Sequence, residues 1–231
     1  MNASLRSVVS WGPLSRPSRL FSLSLCLGIC LAASAVSAQA LVRVEEDWEL
    51  VIGSPDSNSA GPQVTCTMSP HNHINETHFT LEFNHRSVPY WAPGGITLHQ
   101  WMGEWRIQSM DRPDRSTMQT SDETVTWTQI LEAEEGVLTF QVKNGTSTTW
   151  GPFGYTNFLK VQTSWSSNHL NGYTTDISVA RSGVAYAGNR VKTLKLLRVR
   201  GTLSNGITAT DETVRLVHQL PTRNDKRSTV T

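Results

Sequence analysis

The chain has 231 residues, a formal net charge of +1, and 17% charged against 38% hydrophobic residues. That balance suits a globular protein with a real core and excludes the basic face that a nucleic-acid or membrane-surface binder needs. Of its cysteines only Cys66 lies beyond the N-terminal apolar stretch, so the body of the chain has no intrachain disulfide.

Residues 1–38 read as a cleavable export signal. Arg6, Arg16 and Arg19 precede an apolar run, Leu20–Leu31, and small residues follow from Ala32 to Ala40. Val36-Ser37-Ala38 and Ala38-Gln39-Ala40 both present the small residues that cleavage requires, so the cut is expected after Ala38 or Ala40. The run is shorter than the roughly 20 apolar residues of a membrane span. Cys26 and Cys30 follow the bulky Leu25 and Ile29, so a lipid anchor is not expected. The mature chain is therefore expected outside the cytoplasm, secreted or periplasmic, with no membrane span and no nucleic-acid partner. Residues 39–222 are predicted to form one domain and 223–231 a polar disordered tail.

Along that domain, short alternating stretches are punctuated by turn chemistry. In Val42–Ile52 the apolar side carries Val44, Trp48, Leu50 and Ile52, and Glu46 interrupts it. Phe79, Leu81 and Phe83 share a face in His78–His85, with His78, Thr80 and Glu82 opposite. Ile96–Ile107 is ambiguous: Leu98, Trp101, Met102 and Trp105 match helical spacing, but Gly103 and β-branched neighbours favour two strands or a bulged one. Ile130–Glu135 fits a helical turn closed by Gly136. Gly136–Trp150 alternates cleanly and contains Asn144-Gly145, the signal of a type I′ hairpin turn. The same dipeptide recurs at Asn171-Gly172 and at Asn205-Gly206, where it is expected to join Leu197–Leu203 to a strand from Ile207. Leu159, Val161, Thr163 and Trp165 share a face, as do Val214, Leu216, His218 and Leu220. His85 and His218 are expected in the core. Together these elements predict an all-β, two-sheet antiparallel sandwich of jelly-roll or lectin-like type.

Three groups of residues invite a functional reading. All the tryptophans but Trp11 lie beyond the signal. Trp48, Trp127 and Trp165 fall in register with apolar neighbours and read as core. Tyr90 and Trp91, with Trp150 and Tyr155, instead sit among Pro and Gly in loops, where flat rings can stack on the apolar face of a sugar. They mark a non-catalytic binding module for glycan or cell-surface material, or else they plug the ends of the sandwich. His71, His73, Glu76 and His78 are donors of the right type for a transition metal. Their spacing matches no known site, and a polar loop explains them as well; no cofactor is expected.

Finally, Glu45, Asp47 and Glu49 form Glu-x-Asp-x-Glu, which resembles the catalytic strand of laminarinase-like glycoside hydrolases. That resemblance implies a β-sandwich hydrolase with Glu45 as nucleophile, Glu49 as acid/base and Asp47 between them. The solvent face of an edge strand gives the same string. A surface or envelope protein with no small ligand is the third reading.

Overall fold

The computed structural model describes residues 39–53, 62–84, 95–111, 118, 120–155, 159–186 and 190–221. The predicted export signal and polar tail, and with them Tyr90, Trp91 and His85, lie outside the described residues. Among these described residues, twelve strands and one short helix follow in chain order. They are β1 (Leu41–Ile52), β2 (Gln63–Met68), β3 (Thr77–Phe83), β4 (Ile96–Met102), β5 (Trp105–Asp111) and β6 (Thr124–Glu134). After them come β7 (Val137–Thr146), β8 (Lys160–Ser164), α1 (Thr175–Arg181), β9 (Gly183–Tyr186), β10 (Val191–Leu203), β11 (Thr208–Asp211) and β12 (Arg215–Gln219).

The strands form two antiparallel sheets, so the expected all-β sandwich is present. The larger sheet runs β11-β10-β1-β6-β7-β8, with β12 also pairing β10; the smaller runs β5-β4-β3-β2-β9. At one margin Gln108 of β5 donates to the Gln162 carbonyl of β8 at 2.7 Å. At the other, α1 packs across β2 and β12.

Alternation explains the core. On β1 every second residue from Val44 to Ile52 is buried, the pattern of a strand with one face on the interior. Trp48 of β1 stacks on Trp127 of β6, and Phe79 of β3 meets Phe140 of β7 at 5.2 Å between ring centroids. Each such ring contributes about 1.5–3 kcal/mol by leaving water. Trp165 is half-buried against this core. On β10 the buried positions step from Leu194 and Leu196 to Val199, because a β-bulge opposite Asp47 and Trp48 inserts Leu197 as an extra residue.

Four local expectations are corrected. Ile130–Glu135 is not a helical turn: β6 continues to Glu134, and Glu135-Gly136, both with positive φ, make the type I′ turn into β7. Asn144-Gly145 does not reverse the chain. It opposes the single residue Trp127, a bulge in β7, and Gly145 pairs with Phe153. A Cβ on Gly145 would stand 2.2 Å from the Phe153 ring, so this glycine serves a close approach. Asn171-Gly172 joins no hairpin; the Asn171 side chain accepts the Leu41 N–H at 2.8 Å. On β12 Val217 packs on the core, while Leu216 is exposed and His218 is only half-buried; Val214, just before the strand, is exposed too. The ambiguous Ile96–Ile107 resolves as β4 and β5 around Gly103-Glu104, with positive φ at Gly103 alone, a type II′ turn. The hairpin at Asn205-Gly206 forms as expected.

Candidate functional site

The three carboxylates of β1 share one face, as alternation requires, and it is the outer face of the larger sheet. They do not mark an edge, because β1 lies between β10 and β6. Register sets Glu45 opposite Arg200, Asp47 opposite Arg198 and Glu49 opposite Lys195. Arg200 reaches Glu45 at 2.9 Å, and Arg43 shares the same carboxylate at 2.7 Å. Arg198 Nε donates to Asp47 at 2.7 Å, Thr128 donates to its other oxygen at 2.8 Å, and Lys195 meets Glu49 at 3.1 Å. Every carboxylate thus faces a cation. The arrangement builds a cross-strand charge ladder, whereas a retaining glycosidase needs two carboxyls facing each other across about 5–5.5 Å.

The histidine loop between β2 and β3 gathers three of its four candidate donors. His71 Nε2 lies 3.2 Å and His73 Nε2 4.0 Å from the Glu76 carboxylate. The two imidazoles stack at 5.1 Å, and His71 leans on Trp165 at 5.4 Å. Partial burial lowers the His71 pKa from its usual value. His78 stands apart on β3, buried against Trp101, and burial lowers its pKa too. Among the described residues, no group of three or more His, Cys, Asp or Glu is disposed to hold a metal ion.

A polar row crosses the outer face of the smaller sheet. Ser109 of β5 lies 2.6 Å from His99 Nδ1 on β4, and His99 Nε2 lies 3.5 Å from Glu82 of β3. Trp101 donates to Thr80 at 3.0 Å and packs edge-on against His99. His99 and Ser109 are direct cross-strand neighbours, and the row fastens the edge strand to its sheet.

The aromatic expectation divides. Trp150 is 3% exposed and stacks on Phe83 at 5.4 Å. It is a core residue and offers no face to a ligand, which corrects its assignment as a contact. Tyr155, five residues on, is 64% exposed. Its loop is held from beneath: buried Glu123 accepts the Thr149 N–H at 2.8 Å and both the Thr149 and Ser147 hydroxyls. Gly154, at φ +77°, passes so close to Val142 that a Cβ would lie 2.6 Å from its carbonyl. Phe83, at the end of β3, packs on both Trp150 and Phe153, so the Tyr155 loop lies at that end of the sandwich.

At the opposite end stands a ring that sequence reasoning missed. Trp105 is 78% exposed at the tip of the β4–β5 hairpin, opposite the exposed Met102. The type II′ turn fixes the tip, and the Gly103 N–H donates to the Glu76 carbonyl at 3.2 Å, tying the hairpin to the histidine loop. The signal was the Met-Gly-Glu-Trp string, whose glycine permits a two-residue reversal that leaves the tryptophan beyond the sheet. Trp105 and Tyr155 are therefore the exposed rings on rigid supports among the described residues that a flat ligand can reach. Comparison with known protein families and with curated proteins found no match to this chain.

Proposed function

We propose that the chain is an exported, non-catalytic binding module, a jelly-roll or lectin-like sandwich that engages glycan or cell-surface material through solvent-facing aromatic rings. The observation that supports this reading best is Trp105, an almost fully exposed indole on a braced two-residue turn. A large ring left in water on a rigid support offers apolar area at little conformational cost, which is what stacking on a pyranose face uses. Tyr155 offers a second exposed ring, at the other end of the sandwich.

Export places the module in a secreted or periplasmic setting. Of the two cleavage sites, the one after Ala38 keeps Ala40, whose carbonyl accepts the Ser204 N–H at 2.8 Å and whose N–H lies 3.3 Å from the Ser204 hydroxyl. A cut after Ala40 would discard both bonds.

A glycan array probed with the mature domain tests the reading. Binding to defined glycans, weakened about tenfold or more in Trp105→Ala or Tyr155→Ala, is the expected result. Blank arrays, with attachment to envelope preparations unchanged in both variants, would instead assign the chain to structural surface material.

A further inference from the structure

We propose that Glu46 is a proton-operated latch: with its carboxyl neutral it holds the Tyr173–Arg181 strap against the sandwich, and on losing its proton it loosens that strap. Glu46 is the inward-facing acid of β1 and is 0% exposed. The Trp48 indole N–H donates to one of its oxygens at 3.0 Å, and the Tyr173 hydroxyl donates to the other at 2.7 Å. Tyr173 leads directly into α1, whose buried Ser178 hydroxyl lies against the same carboxyl. Beyond the helix the strap is anchored to β2, where the Thr67 N–H donates to Ser182 at 2.9 Å and the Thr67 hydroxyl donates to the Arg181 carbonyl at 2.9 Å. One strap thus has a fixed end on β2 and an end that depends on Glu46.

Among the described residues, the groups facing Glu46 supply no paired cation. From β6 comes the buried Gln129, directly opposite in register, and from β10 comes Val199. From β2 comes the Cys66 thiol and from the strap the Tyr173 phenol. Burial, reinforced by the charge of Glu46, raises both pKa values well above their usual ranges, so both stay neutral. From β12, Arg215 acts only weakly at a distance, and its guanidinium is bonded to the Asp211 carboxylate and the Thr213 carbonyl. Desolvation therefore outweighs the hydrogen bonds and lifts Glu46 to about 7.

An ionised Glu46 is a buried charge held by neutral donors alone, and the cheapest relief is to admit water. The strap is the weakest cover available. Its helix has seven residues, Thr174 makes no side-chain cap bond, and Ser178 is its only fully buried residue. Such elements open locally well before the body of a domain does.

The test is hydrogen exchange of the Tyr173–Ser182 amides at about pH 5.5 and about pH 8.5, corrected for intrinsic rates, in the mature domain and in Glu46→Gln. In the unaltered protein, strap protection is expected to fall roughly tenfold or more at the higher pH, with the β2 amides staying better protected than the strap at both pH values. In Glu46→Gln it should change less than about twofold. Equal protection at both pH values, or the same fall in Glu46→Gln, would overturn the proposal. Should Glu46→Gln fail to fold, carboxyl-carbon NMR of the unaltered protein decides. A glutamate titrating between about pH 6 and 8, in step with the Trp48 indole signal, supports the latch. Titration of every glutamate below about pH 5.5 refutes it.

Discussion

Four acidic residues of β1 live in two different worlds. Glu45, Asp47 and Glu49 point outward, and each meets an arginine or lysine of β10. Glu46 points inward and meets a phenol and an indole. A shift of one residue along a strand turns the side chain through the sheet, and here it converts a solvated ion pair into a proton-holding group. The outer acids are tolerant because water and mobile cations can replace any partner. The inner one depends on fixed donors and on its own protonation.

The sharpest way to break that contrast is to vary pH. The pKa of Glu46 is raised from 4.5 to about 7, so the folded state keeps a proton that the unfolded chain releases. Its contribution is complete below about pH 4.5, declines as pH rises toward 7, and is level above that. The loss is on the order of 3 kcal/mol, read as a falling urea midpoint across the window. Glu46→Gln should flatten the decline. A smaller effect is expected from Tyr173→Phe, which strips one donor from the same carboxyl and should cost about 1–3 kcal/mol by urea unfolding. The smallest belongs to the outer face. Arg198→Ala should cost about 0–1 kcal/mol, and that cost should shrink as salt is added. A large, salt-independent loss there would erase the distinction between the faces.

The inner/outer division of β1 was legible in the sequence, including the anomaly at Glu46. Its partners were not, because Tyr173 lies 127 positions away and only the closed sandwich brings them together. Phe79, Leu81 and Phe83 were readable for the same reason as β1: a period of two over a half-buried strand. Asn144-Gly145 misled because its local turn preference yields to Phe153, whose ring and backbone both claim Gly145. Leu98, Trp101, Met102 and Trp105 mimicked a helix only because a two-residue reversal falls between the last two. The phase of β12 failed because this short strand pairs β10 across a register shift and lies beneath α1, so Val217 rather than Leu216 finds cover. The candidate contacts fared unevenly. Composition flagged the loop aromatics, but nothing local distinguishes Trp150, which Phe83 draws inward, from Tyr155, which has no such neighbour in the core.

The pairing of β1 with β10 has a consequence in time. Leu41 meets Leu203, and Glu46 meets Val199, so the first described strand to be synthesised must wait for nearly the last. Until β10 emerges, β1 carries Trp48, Leu50 and Ile52 with one side of its backbone unsatisfied, and among the described residues no disulfide can hold an intermediate together. Contacts this distant in sequence make folding slow and leave unpaired edges exposed to other chains. The alternating charges of Glu45, Asp47 and Glu49 then acquire a second use, keeping the waiting strand soluble until Arg200, Arg198 and Lys195 arrive.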